Sequence, residues 1–265
     1  MYISNEHKTY LKKLRKEKIL VFLFRFLIIF LILILWEILA RMEIINTFTF
    51  SSPSRVITTL FGLIKNEVLF THIGVTLYEV LLSFLLATLI GLVFSIILWA
   101  MPLIAKIFDP YLTILNSLPK VALGPLIIIW VGASTNSIIF MSLLISTFIT
   151  IINIYNGFIS TDKGYITLMK AFGANKFDIF RKVIIPSNYI TIISALKINI
   201  SMNLIGVIMG ELLVSKKGIG YLIMYGSQVF NIDLVITGVF ILGIISYLMY
   251  FVIDKLEVFI LKRRN

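Results

Sequence analysis

Long apolar runs constrain this chain more than any motif. A helix rising 1.5 Å per residue needs about 20 apolar residues to cross a hydrocarbon core about 30 Å thick. Six runs meet that requirement: Ile19–Ala40, Thr71–Ala100, Ile107–Val131, Ser137–Ile159, Pro186–Val214 and Leu234–Leu256. Hydrophobic residues make up 59% of the 265 and charged residues only 14%, against about 25% charged in soluble domains. The expected fold class is therefore an all-α integral membrane protein with six transmembrane helices. Six helices and short connections use nearly the whole length. That leaves one membrane domain over 1–265, with its core at 71–260 and a basic segment at 1–18, and no room for a soluble catalytic domain.

The charges orient the spans, because cytoplasmic loops of membrane proteins carry excess Lys and Arg. Lys8, Lys12, Lys13, Arg15, Lys16, Lys18 and Arg25 precede or open the first helix, and Lys163, Lys170, Lys176, Arg181 and Lys182 follow the fourth. With Lys106 and the tail residues Lys255, Lys262, Arg263 and Arg264, they outnumber the basic residues of the other side: Arg41, Arg55, Lys65, Lys216 and Lys217. Both termini are expected in the cytoplasm of a cell whose plasma membrane holds the chain. The formal charge of +11 follows from topology, with anionic lipid headgroups as the partner of the N-terminal segment. No soluble basic face exists for nucleic acid. A cleaved signal peptide would begin in the same way, but the first apolar run is long and no small-x-small site follows it, so a retained helix is expected.

Enzymatic classes find little support. There is no cysteine, hence no thiolate nucleophile, disulfide or Cys-based metal site. His7 and His72 stand alone and are expected to be solvated. No phosphate-cradling Gly-rich loop with Lys and Ser or Thr occurs, and no hydrolase or zinc-protease motif. No cofactor is expected.

A polar, basic island, Thr167 to Pro186, interrupts the apolar spans. Thr161 or Asp162 can cap a first short helix carrying Leu168, Met169 and Phe172, and Gly173 supplies the left-handed residue that ends it. Asn175 with Asp178 resembles a capping box opening a second helix, on which Phe177, Phe180 and Ile184 follow as one apolar stripe. Pro186 suits the first turn of the next span. An ordinary basic loop on the membrane surface is the plainer reading of the same periodicity.

Gly173, nine intervening residues and then Val183-Ile184-Ile185-Pro186 resemble the cytoplasmic signature of ABC importer permeases. That signature runs Glu-Ala-Ala, three residues, Gly, nine residues, Ile-x-Leu-Pro. Thr167, Leu168 and Met169 replace the triplet. Ala171-Phe172-Gly173-Ala174 is similar to the Ala-Leu-Gly-Ala form found in nitrate/sulfonate/taurine-type permeases. Pro119 to Leu126 with Trp130-Val131-Gly132, Gly210-Glu211 with Gly218 to Ile223, and Thr76 to Val80 extend the likeness over roughly residues 50–260.

The resemblance implies a type I importer permease with a coupling-helix pair between the fourth and fifth spans. It implies two permease copies, a homodimer being expected, two separate ATPase subunits below and an extracytoplasmic solute-binding protein above. Leu168, Ala171, Phe172, Gly173, Phe177, Phe180 and Pro186 would meet the ATPase or transmit its motion. A small anion or a vitamin precursor, of the nitrate, sulfonate, taurine or thiamine-pyrimidine type, would be the substrate.

Ionisable residues in spans are costly and mark either a pathway or a structural pair. Glu79, Lys120, Lys197 and Glu211 qualify, with Glu37 near the end of the first helix. Lys120 and Lys197 each lie eleven residues past a cytoplasmic-side point, Asp109 and Pro186, and so about 16 Å deep on straight helices. Two cations at one depth call for separation, hydration or partners: Glu79 or an anionic substrate for a pathway, an ion pair or snorkelling for a structural role. Pro119 and Pro125 interrupt the third helix, which favours Lys120 as a pathway residue. Asn199, Asn203, Gly206 and Gly210 share one face of the fifth helix, either lining the pathway or packing tightly against a neighbour. Val56–Phe70 and Gly218–Phe230 read as segments outside the membrane. A secondary transporter, expected to show internal repeats, and a small channel or scaffold are the other classes compatible with the composition.

Overall fold

A computed structural model describes residues 5–262. Those residues form helices and turns without a strand. α1 (Asn5–Arg41), a short α2 (Thr47–Phe50), α3 (Pro53–Lys65) and α4 (Val68–Ala100) come first. They are followed by α5 (Pro102–Ser117), a 3-10 turn at Lys120–Leu123, α6 (Gly124–Val131), α7 (Thr135–Ile159), α8 (Lys163–Ala171), α9 (Lys176–Ile179), a π turn at Phe180–Ile184, α10 (Ile185–Val214), α11 (Ile219–Gln228) and α12 (Ile232–Lys262).

Five continuous stretches among the described residues are long and apolar enough to cross a membrane: Lys13–Arg41, Val68–Ala100, Thr135–Ile159, Lys176–Val214 and Ile232–Val258. The expected third span is not a straight helix. It is the pair α5 and α6 with the 3-10 turn between them, bent by 84°. Proline is the cause: Leu118 precedes Pro119 and takes ψ 140°, because the pyrrolidine ring disfavours helical backbone in the residue before it. The depth expected for Lys120 on a straight helix is thereby corrected, since Lys120 sits at the corner.

α4, α7 and α10 form the centre. α7 meets α10 closely because glycines face it. A Cβ on Gly206 would lie 2.5 Å from Ser142 Cα, and one on Gly210 would lie 2.9 Å from Ile138 Cα. Small residues of this kind let helix backbones approach in lipid, where packing rather than the hydrophobic effect drives association. α11 and α12 close one flank, where Ile219, Leu222, Ile241 and Ile245 join the core of α4 and α10.

α1 stands apart, with none of its apolar window buried. It touches the body through Trp36, stacked on Phe240 at 6.3 Å, and through Glu37, which accepts from Ser54 N at 3.0 Å. The segment expected at Val56–Phe70 is shorter: α3 opens at Pro53, capped by Ser52, and ends at Lys65. Val68 already belongs to α4.

Candidate functional site

Two constellations stand out, one at each end of α9–α10. At the island end, the Asp162 side chain accepts from Gly164 N at 2.7 Å and opens α8. α8 closes with Gly173 N donating to Lys170 O at 2.9 Å and Ala174 N to Met169 O at 3.0 Å, the paired bonds of a Schellman cap. Gly173 takes φ +76°, and a Cβ there would meet nothing within 4 Å. The glycine is therefore required by backbone conformation and leaves its surroundings open. Asn175 accepts from Asp178 N at 2.8 Å to start α9, while the Asp178 carboxylate pairs with Lys182 at 3.4 Å.

α9 does not end before the fifth span, as two separate short helices would require. Lys176–Val214 runs as one 39-residue helical unit, with the π turn and Pro186 in its course. The island's second helix is thus the root of the fifth span.

Leu168, Ala171, Phe172, Gly173 and Phe177 are all exposed, with Phe172 at 79% and Phe177 at 68%. Phe180, by contrast, is only partly exposed. Its ring lies 5.1 Å from Trp99 and 5.6 Å from Phe158, and it joins the core of Ile154, Ile179 and Ile184. The ends of α4 and α7 cover the stripe from Phe180 onward, so only Phe177 projects. Met169 packs against the same core. Pro186 is half-buried in the first turn of α10.

At the far end, Glu211 is buried, with 1% of its surface exposed. It accepts from Thr76 Oγ1 at 2.6 Å and from Gly220 N at 2.6 Å. Thr76 Oγ1 in turn accepts from Ile219 N at 2.9 Å, and His72 Nδ1 accepts from Gly218 N at 2.8 Å. His72 is therefore buried rather than solvated as expected, with Tyr221 stacked on its ring at 5.7 Å; the His7 side chain lies outside the described residues. Gly218 takes φ +109°, and a Cβ there would collide with the Glu211 carboxylate. α4, α10 and the turn Gly218–Gly220 are thus tied by hydrogen bonds reaching across 135 to 146 residues. α11 is accordingly half embedded, with Ile219 and Leu222 in the core, while Phe230 beyond it stands exposed.

Of the remaining intramembrane candidates, Glu79 is buried with neither carboxylate oxygen hydrogen-bonded, whereas the others pack or pair within the chain. Asn199, Asn203, Gly206 and Gly210 do share one face of α10, and that face is buried against α4 and α7. Asn199 Nδ2 donates to Thr88 Oγ1 at 2.9 Å, and Ser142 Oγ donates to Asn203 Oδ1 at 2.8 Å. Small residues opposite serines bring the α7 and α10 backbones together along this face. Lys120 Nζ donates to Asn116 O at 2.8 Å, a cation on a terminal carbonyl of α5. Lys197 is not reached by Glu79. It pairs with Asp254 at 2.7 Å and with Glu257, and its Nζ lies 5.3 Å from the centroid of the Tyr250 ring. Two carboxylates three residues apart at the end of the last apolar run, Asp254 within it and Glu257 just past it, were the available signal for that pair. His72 had none.

The architecture is that of a helical protein whose described residues include five helices, and one bent pair, long and apolar enough to cross a membrane. The family profile of the binding-protein-dependent transport system inner membrane component matches residues 87–265. A probable ABC transporter permease protein of Haemophilus influenzae is 33% identical over 230 residues, covering 87% of this chain and 93% of that protein. The formylaminopyrimidine transport permease protein ThiX of Halalkalibacterium halodurans is 28% identical over 235 residues, 89% of this chain and 93% of that one. Among solved structures, the inward-facing MetNI methionine ABC transporter matches with TM-score 0.64 at 20% identity, over 72% of this chain and 95% of that one. The chain belongs to the binding-protein-dependent inner membrane component family and is an ABC importer permease subunit. Such subunits are non-catalytic multi-pass membrane proteins that work with a separate ATPase and a binding protein.

Proposed function

We propose that the island is the coupling plug of a two-copy permease. Leu168, Ala171, Phe172, Gly173 and Phe177 enter a cleft on each of two ATPase subunits, and Phe180 and Pro186 pass the motion into α10. The observation that carries this reading is the pairing of exposed aromatics with a doubly capped, rigid turn that is continuous with the fifth span. Exposed large apolar side chains on a well-ordered element mark an interaction surface. Rigid-body displacement of the plug then needs no hinge between α9 and α10. Both termini and the island face the cytoplasm, and Val56–Phe70 or Gly218–Phe230 meets the binding protein. The substrate is a small anion or a vitamin precursor, a class that includes the pyrimidine named for the Halalkalibacterium relative.

ATP turnover by the complex of this chain with its ATPase, in lipid nanodiscs, tests the reading. It is expected to rise on adding loaded binding protein, and hydrolysis by the chain alone would overturn it. A cysteine placed by Lys176→Cys in the cysteine-free chain is expected to resist impermeant thiol reagents in intact cells; rapid labelling from outside would reverse the orientation.

A further inference from the structure

A cavity of about 360 Å³ lies at the far end between α4, α7 and α10. Its size is at the small end of pockets that hold small molecules. Glu79 forms part of its wall from α4, Ser134 and Thr135 from the start of α7, and Ser215, Lys216 and Lys217 from beyond α10. Glu79 is 1% exposed, and neither of its carboxylate oxygens has a hydrogen bond of ordinary geometry, although Glu211 and Thr135 lie close. The two carboxylates are therefore unequal. Glu211 is satisfied by Thr76 and Gly220, whereas Glu79 has acceptor capacity that the chain leaves unused. A buried acceptor without a donor is costly, and a second carboxylate beside it raises that cost.

None of the donors in this wall is hydrogen-bonded to Glu79. The first turn of α7 offers only a partial positive charge near Thr135. Lys216 and Lys217, both exposed, face the same cavity. The lining thus combines a buried acceptor without a partner and two exposed cations.

We propose that this cavity is a substrate-transit site for a small molecule carrying an ammonium or amidine-like N–H donor, received by Glu79, and an anionic or acceptor group facing Lys216 and Lys217. The assignment rests on the permease reading and deepens it. Glu79 would narrow the substrates of that reading to those carrying a positive donor besides any anionic group, and the lysines would attract the anionic group.

The absence of native cysteine allows the electrostatics to be read directly. Thr135→Cys reports the wall near Glu79 and Ser215→Cys reports the lysine end, each in the full complex with its ATPase in nanodiscs. Modification by a cationic methanethiosulfonate is expected to exceed that by an anionic one about tenfold at position 135, with the order reversed at 215, as focused charge in a cleft produces. Glu79→Gln, equal in shape, should abolish the preference at 135 and leave 215 unchanged. Taurine, which carries both groups, should protect position 135 at lower concentration than ethanolamine or isethionate, and Glu79→Gln should erase that difference. A cationic preference that survives Glu79→Gln, or equal protection by the three probes, overturns the proposal. Turnover stimulated by binding protein is measured in parallel on the wild-type complex in the same nanodiscs. If it persists while the labelling pattern fails, only the site falls; if it is absent, the permease reading itself is at fault.

Discussion

The two ends of the fifth span are built on opposite rules. At its root, the plug leaves Phe172 and Phe177 uncovered while its backbone is closed by Asp162, Gly173 and Asn175. At its far end, the chain buries Glu79, Glu211 and His72 and leaves lysines at the rim. The first end withholds apolar surface from its own core, which suits a partner that will cover it. The second draws polar and ionisable groups out of water, which is costly without hydrogen bonds; Glu211 and His72 have them and Glu79 does not. Substitutions that strike the bonded tie of Gly218 to Glu211 should therefore damage the subunit itself, whereas those at the exposed plug residues should damage only its assembly.

The largest effect is expected for Gly218→Val. Its φ of +109° with ψ 166° is a region reserved for glycine, costing other residues roughly 1–3 kcal/mol, and the new side chain would strike Glu211. Fluorescence-detected size exclusion should show little monodisperse protein. A normal profile would break the contrast between the two ends.

Phe180→Asp and Phe177→Asp sharpen it. The first places a charge between Trp99 and Phe158 and is expected to lower the melting temperature of the detergent-solubilised subunit, since an unpaired buried charge costs several kcal/mol. The second should leave that temperature within a degree or two of wild type while abolishing co-purification of the ATPase. Equal behaviour of the two would mean that the plug and the core are not distinct surfaces.

Gly173→Val follows. Its cost in the isolated subunit is confined to a left-handed φ, about 1 kcal/mol, because nothing lies within 4 Å of the added Cβ. Protein level should stay near normal, and pull-down of the ATPase should fall at least tenfold. Lys163→Ala, at the start of α8 and outside the exposed aromatic set, is expected to change neither quantity. A strong loss there would spread the contact surface over the whole island.

Much of the fold was legible because its signals are local. Span length follows from apolar runs, and the Asp162, Gly173 and Asn175 caps act within about one helical turn. Gly173 could be assigned a positive φ without any neighbour. The break in the third span was visible in Pro119, but the 84° turn was not, since its direction depends on what the two halves pack against. Fewer of the site residues were legible. The fifth-helix face of Asn199, Asn203, Gly206 and Gly210 was correctly grouped, yet spacing alone cannot say whether a shared face meets a passage or another helix. Phe180 was grouped with Phe177 because periodicity records which residues align, not where the neighbouring helices end.

The sequence by itself determined that this is a membrane permease: its apolar runs, its basic asymmetry and the Gly173 to Pro186 spacing depend on residue order alone. Only the tertiary structure decided that Phe180 is covered by Trp99 and Phe158, that Lys197 answers Asp254 and Glu257, and that His72 secures Gly218. These are contacts across 22 to 146 residues of chain. Caps and spans are set by neighbours along the backbone. Burial and charge pairing are set by whichever helices pack together, and that choice is a property of the whole bundle.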